Sequence, residues 1–301
     1  MKIKGYLYAA LAAAAYGTNP IFAKPLYADG MNPDSVLLLR YLLALLLMGA
    51  IILLQSIGKK DRSIRQAFGI QRHTLPQLVL MGLLMSASSI LLFMSYNYMP
   101  VGIASTLLFC YPIMVAVIMT LCFHERLSWL VVGCLALASA GVALLCKGDE
   151  GADAAISDTF LIGFLLVMAS SLSYAIYLVG LNKTRIRTIA PMPVTFYVLL
   201  FGLSIYVVRI ACGVPLVMPH TFSMWLNCLG LGLFPTVISL VFTSRAIQSI
   251  GSTQTALLGA FEPVTAVGLG VIILGETVSV REAIGMCLIF LAVSLVVKRR
   301  G

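Results

Sequence analysis

Ten apolar runs of about 20 residues recur along the 301-residue chain, separated by short gaps. They lie near 5–27, 34–57, 75–97, 100–122, 128–146, 159–180, 191–211, 221–247, 252–274 and 279–297. A helix needs about 20 residues to cross the hydrocarbon of a bilayer. No water is available there, so a spanning segment must satisfy its own backbone polar groups, which a helix does. The alternative of ten buried helices in a soluble protein fails on surface. Only 10% of residues are charged and 60% are hydrophobic, whereas a water-facing fold carries roughly 25% charged residues. The expected class is therefore an all-α integral membrane protein of ten transmembrane helices, with residues 1–301 forming one membrane domain.

The net charge of +9 is not the basic face of a nucleic-acid-binding domain, because the cations sit in short loops between apolar runs. Lys2 and Lys4 precede the first run; Lys59, Lys60, Arg62, Arg65 and Arg72 follow the second; Arg126 follows the fourth. Lys183, Arg185 and Arg187 follow the sixth, Arg245 ends the eighth, and Lys298, Arg299 and Arg300 follow the tenth. With ten spans, every one of these groups falls on the same side. The positive-inside rule then puts both termini in the cytoplasm of a bacterial-type inner (plasma) membrane. The first run reads as a helix and not as a cleaved signal, since cleavage after Ala28 would set Leu26 where a small residue is wanted. The seven cysteines (Cys110, Cys122, Cys134, Cys146, Cys212, Cys228 and Cys287) form no Cys-x-x-Cys pair and read as small buried hydrophobes. No metal or other cofactor is expected.

A fixed offset runs through the chain. Pro112 and Pro263, Glu125 and Glu276, Ser128 and Ser279, and Ser88 and Ser239 are each 151 residues apart. Gly5 pairs more loosely with Gly163, and Tyr16 with Tyr174. This predicts two related halves, residues 1–146 and 159–301, of five helices each. Five is odd, so the second half enters the membrane inverted relative to the first, around a central cavity. Inverted repeats of this kind recur in secondary transporters.

Several stretches resemble a known family. Gly17-Thr18-Asn19-Pro20-Ile21-Phe22-Ala23-Lys24 resembles the opening motif of the EamA-like family within the drug/metabolite transporter superfamily. Arg40-Tyr41-Leu42-Leu43-Ala44 resembles its second-helix pattern. Glu262-Pro263-Val264 with Leu274-Gly275-Glu276 resembles its ninth-helix signature, and Pro112 with Glu125 the first-half copy. Phe123-His124-Glu125 departs from the usual Gly-Glu ending. The resemblance implies ten helices in two inverted repeats and carriage of small metabolites, often amino acids or related compounds, frequently outward.

Glu262 is the sharpest candidate residue. Ten residues into its span, at 1.5 Å per residue, it lies about 15 Å deep, where an ionised acid costs on the order of 2.5–3.5 kcal/mol. It reads either as a site for a substrate ammonium or a coupling proton, or as a structural hydrogen-bonding group. Tyr111 occupies the corresponding position in the first half. Tyr16, Asn19, Tyr96, Tyr174 and Tyr177 complete a polar-aromatic set suited to a moderately apolar substrate. Arg40 would hold a substrate carboxylate, snorkel to the surface or sit in a structural ion pair. Pro20, Pro112, Pro235 and Pro263 free the carbonyls of Tyr16, Leu108, Leu231 and Gly259, which predicts kinks that hinge a gate or shape packing.

These features favour a secondary transporter of small solutes, working by alternating access. No Gly-x-x-x-x-Gly-Lys-[Ser/Thr] run occurs, which argues against ATP-driven transport by this chain. A membrane-embedded enzyme would want paired acids or a Ser–His pair, but His73, His124 and His220 lie near loops. A passive channel or facilitator is the alternative. The expected partners are a small-molecule substrate, lipid and a coupling proton, with no nucleic acid. Substrate identity and oligomeric state are not legible.

Overall fold

The structure, a computed structural model, describes residues 2–57, 68–70, 72–95, 97–98, 104, 107–125, 128–145, 158–274 and 280–300. A helix lies in each of the ten predicted spans. The first is split into α1 (Lys2–Gly17) and α2 (Asn19–Ala28). Then come α3 (Pro33–Ile57), α4 (Leu75–Ser95), α5 (Tyr111–Phe123), α6 (Trp129–Leu145), α7 (Asp158–Lys183) and α8 (Pro191–Ala211). The eighth span runs as α9 (Phe222–Gly232), a π-helical turn over Leu233–Ile238, and α10 (Ser239–Ile250). The ninth is split into α11 (Ser252–Leu258) and α12 (Phe261–Leu274), and α13 (Val280–Arg300) is the tenth. Six helical segments are long and apolar enough to cross a membrane, and three shorter apolar helices accompany them. With so many apolar helices, this is a multi-pass membrane protein.

Proline explains the splits, though not in the form the sequence suggests. An interior proline usually kinks a helix. Here the helix stops and restarts, and Pro20, Pro112 and Pro263 each fall in the first turn of the new helix, where a missing N–H costs little. Three of the four freed carbonyls find partners. Leu108 O accepts from Ser171 Oγ at 2.7 Å, and Leu231 O from Thr236 Oγ1 at 2.8 Å. Gly259 O accepts from the Glu262 N–H at 2.9 Å. The tight joint between the eighth and ninth spans is Gly251, at φ +85°, a conformation that suits glycine. The corresponding joint at Met99–Gly102 lies outside the described residues. At the end of α5, His124 takes a left-handed conformation (φ 53°) where the family's usual glycine would sit at ease.

Packing interleaves the early and late helices. α1 lies along α10, α4 along α7, α6 along α13, and α8 against both α3 and α4. α5 packs on α7 and α11, while α1 also meets α12. With lipid outside, close packing and interhelical hydrogen bonds replace the hydrophobic effect as the cohesive force. At the Lys2 end of the bundle, Tyr6 donates to Gln254 Oε1 (3.3 Å), Asn182 Nδ2 to Ser252 Oγ (3.1 Å), and Lys183 pairs with Glu125 (3.3 Å). At the other end, Arg209 pairs bidentately with Asp34, and Asn32 Nδ2 donates to Pro215 O (2.6 Å).

Candidate functional site

The split helices converge on one cavity. α1 contributes Ala9, Ala12, Ala13 and Tyr16; α5 contributes Tyr111; α7 contributes Tyr174 and Leu178. Across from them stand Ser239 and Thr243 of α10, Thr255 and Ala256 of α11, and then Gly259 and Glu262. The space between these side chains, counted with its mouth, is about 340 Å³. The enclosed part is far smaller, about 20 Å³, room for about one water molecule. Toward the Lys2 end lie the Tyr6–Gln254 bond, the stacked rings of Tyr8 and Phe242 (5.6 Å), and Gly5 flush on Ser249 and Ile250.

Glu262 is the second residue of α12, so its side chain leaves the chain at the start of a half-helix inside the bundle. The unpaired N–H groups of such an end favour a nearby negative charge. Among the described residues the carboxylate has no hydrogen-bond or ion-pair partner, and it borders the cavity. Arg40 is the cation whose charge reaches it. A group that is costly to bury and lacks a direct partner is the arrangement expected of an acid that takes its partner from the cavity.

An aromatic wall faces it. Tyr111 meets Tyr174 edge to face at 4.8 Å, Phe109 meets Tyr111 at 5.7 Å, and Tyr174 stacks on Tyr177 at 5.9 Å. The Tyr111 hydroxyl sits where a Cβ on residue 259 would stand, so this approach requires Gly259. Tyr177 is fully buried behind Tyr174 and does not line the cavity.

Arg40 neither snorkels nor reaches the cavity. It is 3% exposed, its Nε donates to Thr236 Oγ1 at 2.6 Å and its Nη2 to Pro235 O at 3.2 Å. Its guanidinium lies over the Tyr16 ring at 5.6 Å. Two of the sequence's separate candidates, Arg40 and Pro235, therefore belong to one network that holds the π-helical turn. Asn19 opens α2 outside the cavity lining, with its Oδ1 unpartnered among the described residues. Tyr96 lies outside the described residues. Glu262, Tyr111, Tyr16 and Tyr174 are brought together; Arg40, Asn19 and Tyr177 are not. The small and hydroxyl-bearing lining residues were not singled out as site residues from sequence, although Ser239 had appeared in the 151-residue frame and Ala12–Ala15 is a visible run of small residues. Among the described residues no cluster of His, Cys, Asp and Glu could hold a metal.

The sequence pattern of the EamA-like transporter family matches this chain twice, over residues 3–146 and 161–298. A Synechocystis sp. protein named as an uncharacterized transporter is 29% identical over 268 residues, covering 86% of this chain and 78% of that protein. A Clostridium kluyveri protein with the same description is 23% identical over 291 residues, covering 96% and 91%. One from Archaeoglobus fulgidus is 26% identical over 288 residues, covering 94% and 92%. A solved crystal structure superposes with a TM-score of 0.82 at 18% identity, covering 98% of this chain and 97% of that one, a likeness of fold.

Proposed function

Because this chain belongs to the EamA-like transporter family, and is thus a membrane transporter rather than an enzyme, we propose that it is a secondary carrier of small amphipathic metabolites. Amino acids and related compounds are the substrate range, and efflux across the inner membrane is the direction. Ten transmembrane helices form two inverted repeats, 1–146 and 159–301, with both termini cytoplasmic. The double match of the family pattern supports this reading. So does the packing: exchanging the halves turns the α1–α10 pair into the α7–α4 pair and maps the α3–α8 and α6–α13 pairs onto themselves.

The observation that carries the proposal is the cavity itself. It is bordered by helices that break and restart at Pro20, Pro112 and Pro263. Breaks beside a binding site are places where half-helices can tilt while the rest of the bundle stays packed. Glu262 is the group in the lining that can take a coupling proton or a positively charged substrate group. Tyr111, Tyr16 and Tyr174 hold the apolar body. Arg40, with Pro235, fixes the π-helical turn behind them.

Counterflow in proteoliposomes tests the proposal. Vesicles preloaded with an unlabelled amino acid or amine should accumulate the labelled compound transiently above equilibrium. Uptake that preloading leaves unaccelerated across the whole panel would mean a channel or facilitator, and the carrier reading would be abandoned.

A further inference from the structure

We infer that the cavity selects its substrate by an ammonium group, and that the preferred substrates are small amines lacking a carboxylate. This rests on the carrier reading and narrows its substrate class. Among the described residues the lining holds one ionisable acid, Glu262, and no lysine, arginine or histidine. Its other polar groups are the hydroxyls of Ser239, Thr243 and Thr255 and three tyrosines. A cation entering this space finds an acid without a partner among the described residues. It also finds the rings of Tyr111 and Tyr174, whose electron-rich faces attract ammonium groups. Methyl groups of Ala9, Ala12 and Ala13 leave a smooth wall for an apolar body.

A carboxylate finds the reverse. The nearest cation, Arg40, is outside the lining, with its guanidinium donating to Thr236 Oγ1 and Pro235 O and covered by the Tyr16 ring. Recruiting it would break both bonds in a buried setting. An amino acid would therefore bring a second anion into a small, poorly solvated space beside Glu262, where like charges repel strongly.

Matched probes isolate the claim without altering the protein. Labelled phenethylamine is bound to the full-length chain in detergent and competed with phenylalanine, 3-phenylpropionate and 2-phenylethanol, which share its ring. Phenethylamine should bind, and the three competitors should be weaker than unlabelled phenethylamine by about tenfold or more, the usual weight of a charge-assisted hydrogen bond. Phenylalanine competing as well as phenethylamine would overturn the inference, as would an advantage for 3-phenylpropionate. Glu262→Gln should weaken phenethylamine by about tenfold while helicity by circular dichroism is retained; a folded Glu262→Gln chain that binds it as wild type does would also overturn it. Counterflow keeps the two readings apart. Transport of amino acids without amines sinks the amine preference and leaves the carrier standing. Amine binding without counterflow sinks the carrier and leaves the recognition chemistry standing.

Discussion

Two long helix pairs join the early and late parts of the bundle, and they close by different chemistry. Where α7 lies along α4, hydroxyls stitch the seam: Ser170 Oγ reaches Ser88 Oγ (3.1 Å) and Ser88 O (2.7 Å), and Ser173 Oγ donates to Leu84 O (2.8 Å). Ser171, beside them, holds Leu108 O. Where α1 lies along α10, the seam opens into the cavity. The proposed repeat makes the contrast pointed. Tyr16 and Tyr174 are 158 residues apart, and on that offset Ala12, Ala13 and Ala15 correspond to Ser170, Ser171 and Ser173. Across the seam, Ser239 corresponds to Ser88. One scaffold thus carries serines in the pair that is sealed and alanines in the pair that is hollow. A methyl cannot reach across to a carbonyl, and the gap it leaves opens into the cavity.

The largest break in that contrast comes from filling the gap. Ala12→Leu places three more carbons in the cavity, and counterflow should fall below about a tenth of wild type, while overpacking costs about 1–3 kcal/mol of stability. A well-folded Ala12→Leu carrier with unchanged counterflow would remove this cavity from the transport path. Unstitching the other seam comes next. Each interhelical hydrogen bond in a membrane contributes about 0.6 kcal/mol on average, so the triple change Ser170→Ala, Ser171→Ala and Ser173→Ala weakens it by about 2 kcal/mol. Opening fluctuations of α7 should then rise by up to about 30-fold, read as faster hydrogen exchange of its amides in nanodiscs. Unaltered exchange would show that the serines fill space without holding the seam. The smallest effect is expected from Ala12→Ser, which offers one hydroxyl to the hollow seam. At about 0.6 kcal/mol it should slow counterflow about threefold, and a faster carrier would argue against seam chemistry as the control.

The spans were legible because hydropathy over 20 residues is a strong signal, and proline marked where helices break. What proline could not tell was the form of the break, since a restart and a kink need the same missing N–H. Glu262, Tyr111, Tyr16 and Tyr174 were legible as chemistry at corresponding depths. The Arg40 network was not legible because its partners, Thr236 and Pro235, lie almost 200 residues away and on a π-helical turn that no local pattern announces. Ala9, Ala12 and Ala13 were passed over for a different reason. A methyl carries no chemical signature, and its importance appears only when the serines of the other seam are set beside it.

The buried Arg40 network has a consequence for how the protein is made. α3 emerges from the ribosome long before Thr236 and Pro235 exist, so it must enter the membrane with a cation that has no final partner. A charge at a helix centre costs on the order of 2.5–3.5 kcal/mol, and Arg40, in the first third of α3, meets part of that cost. α3 is also the most apolar of the six long spans, and its leucine-rich run offsets that penalty during insertion. Until the eighth span arrives, Arg40 waits on water or lipid headgroups for its partners. Assembly of the bundle is therefore post-insertional at this point, and the turn at Pro235 is the element that ends the wait.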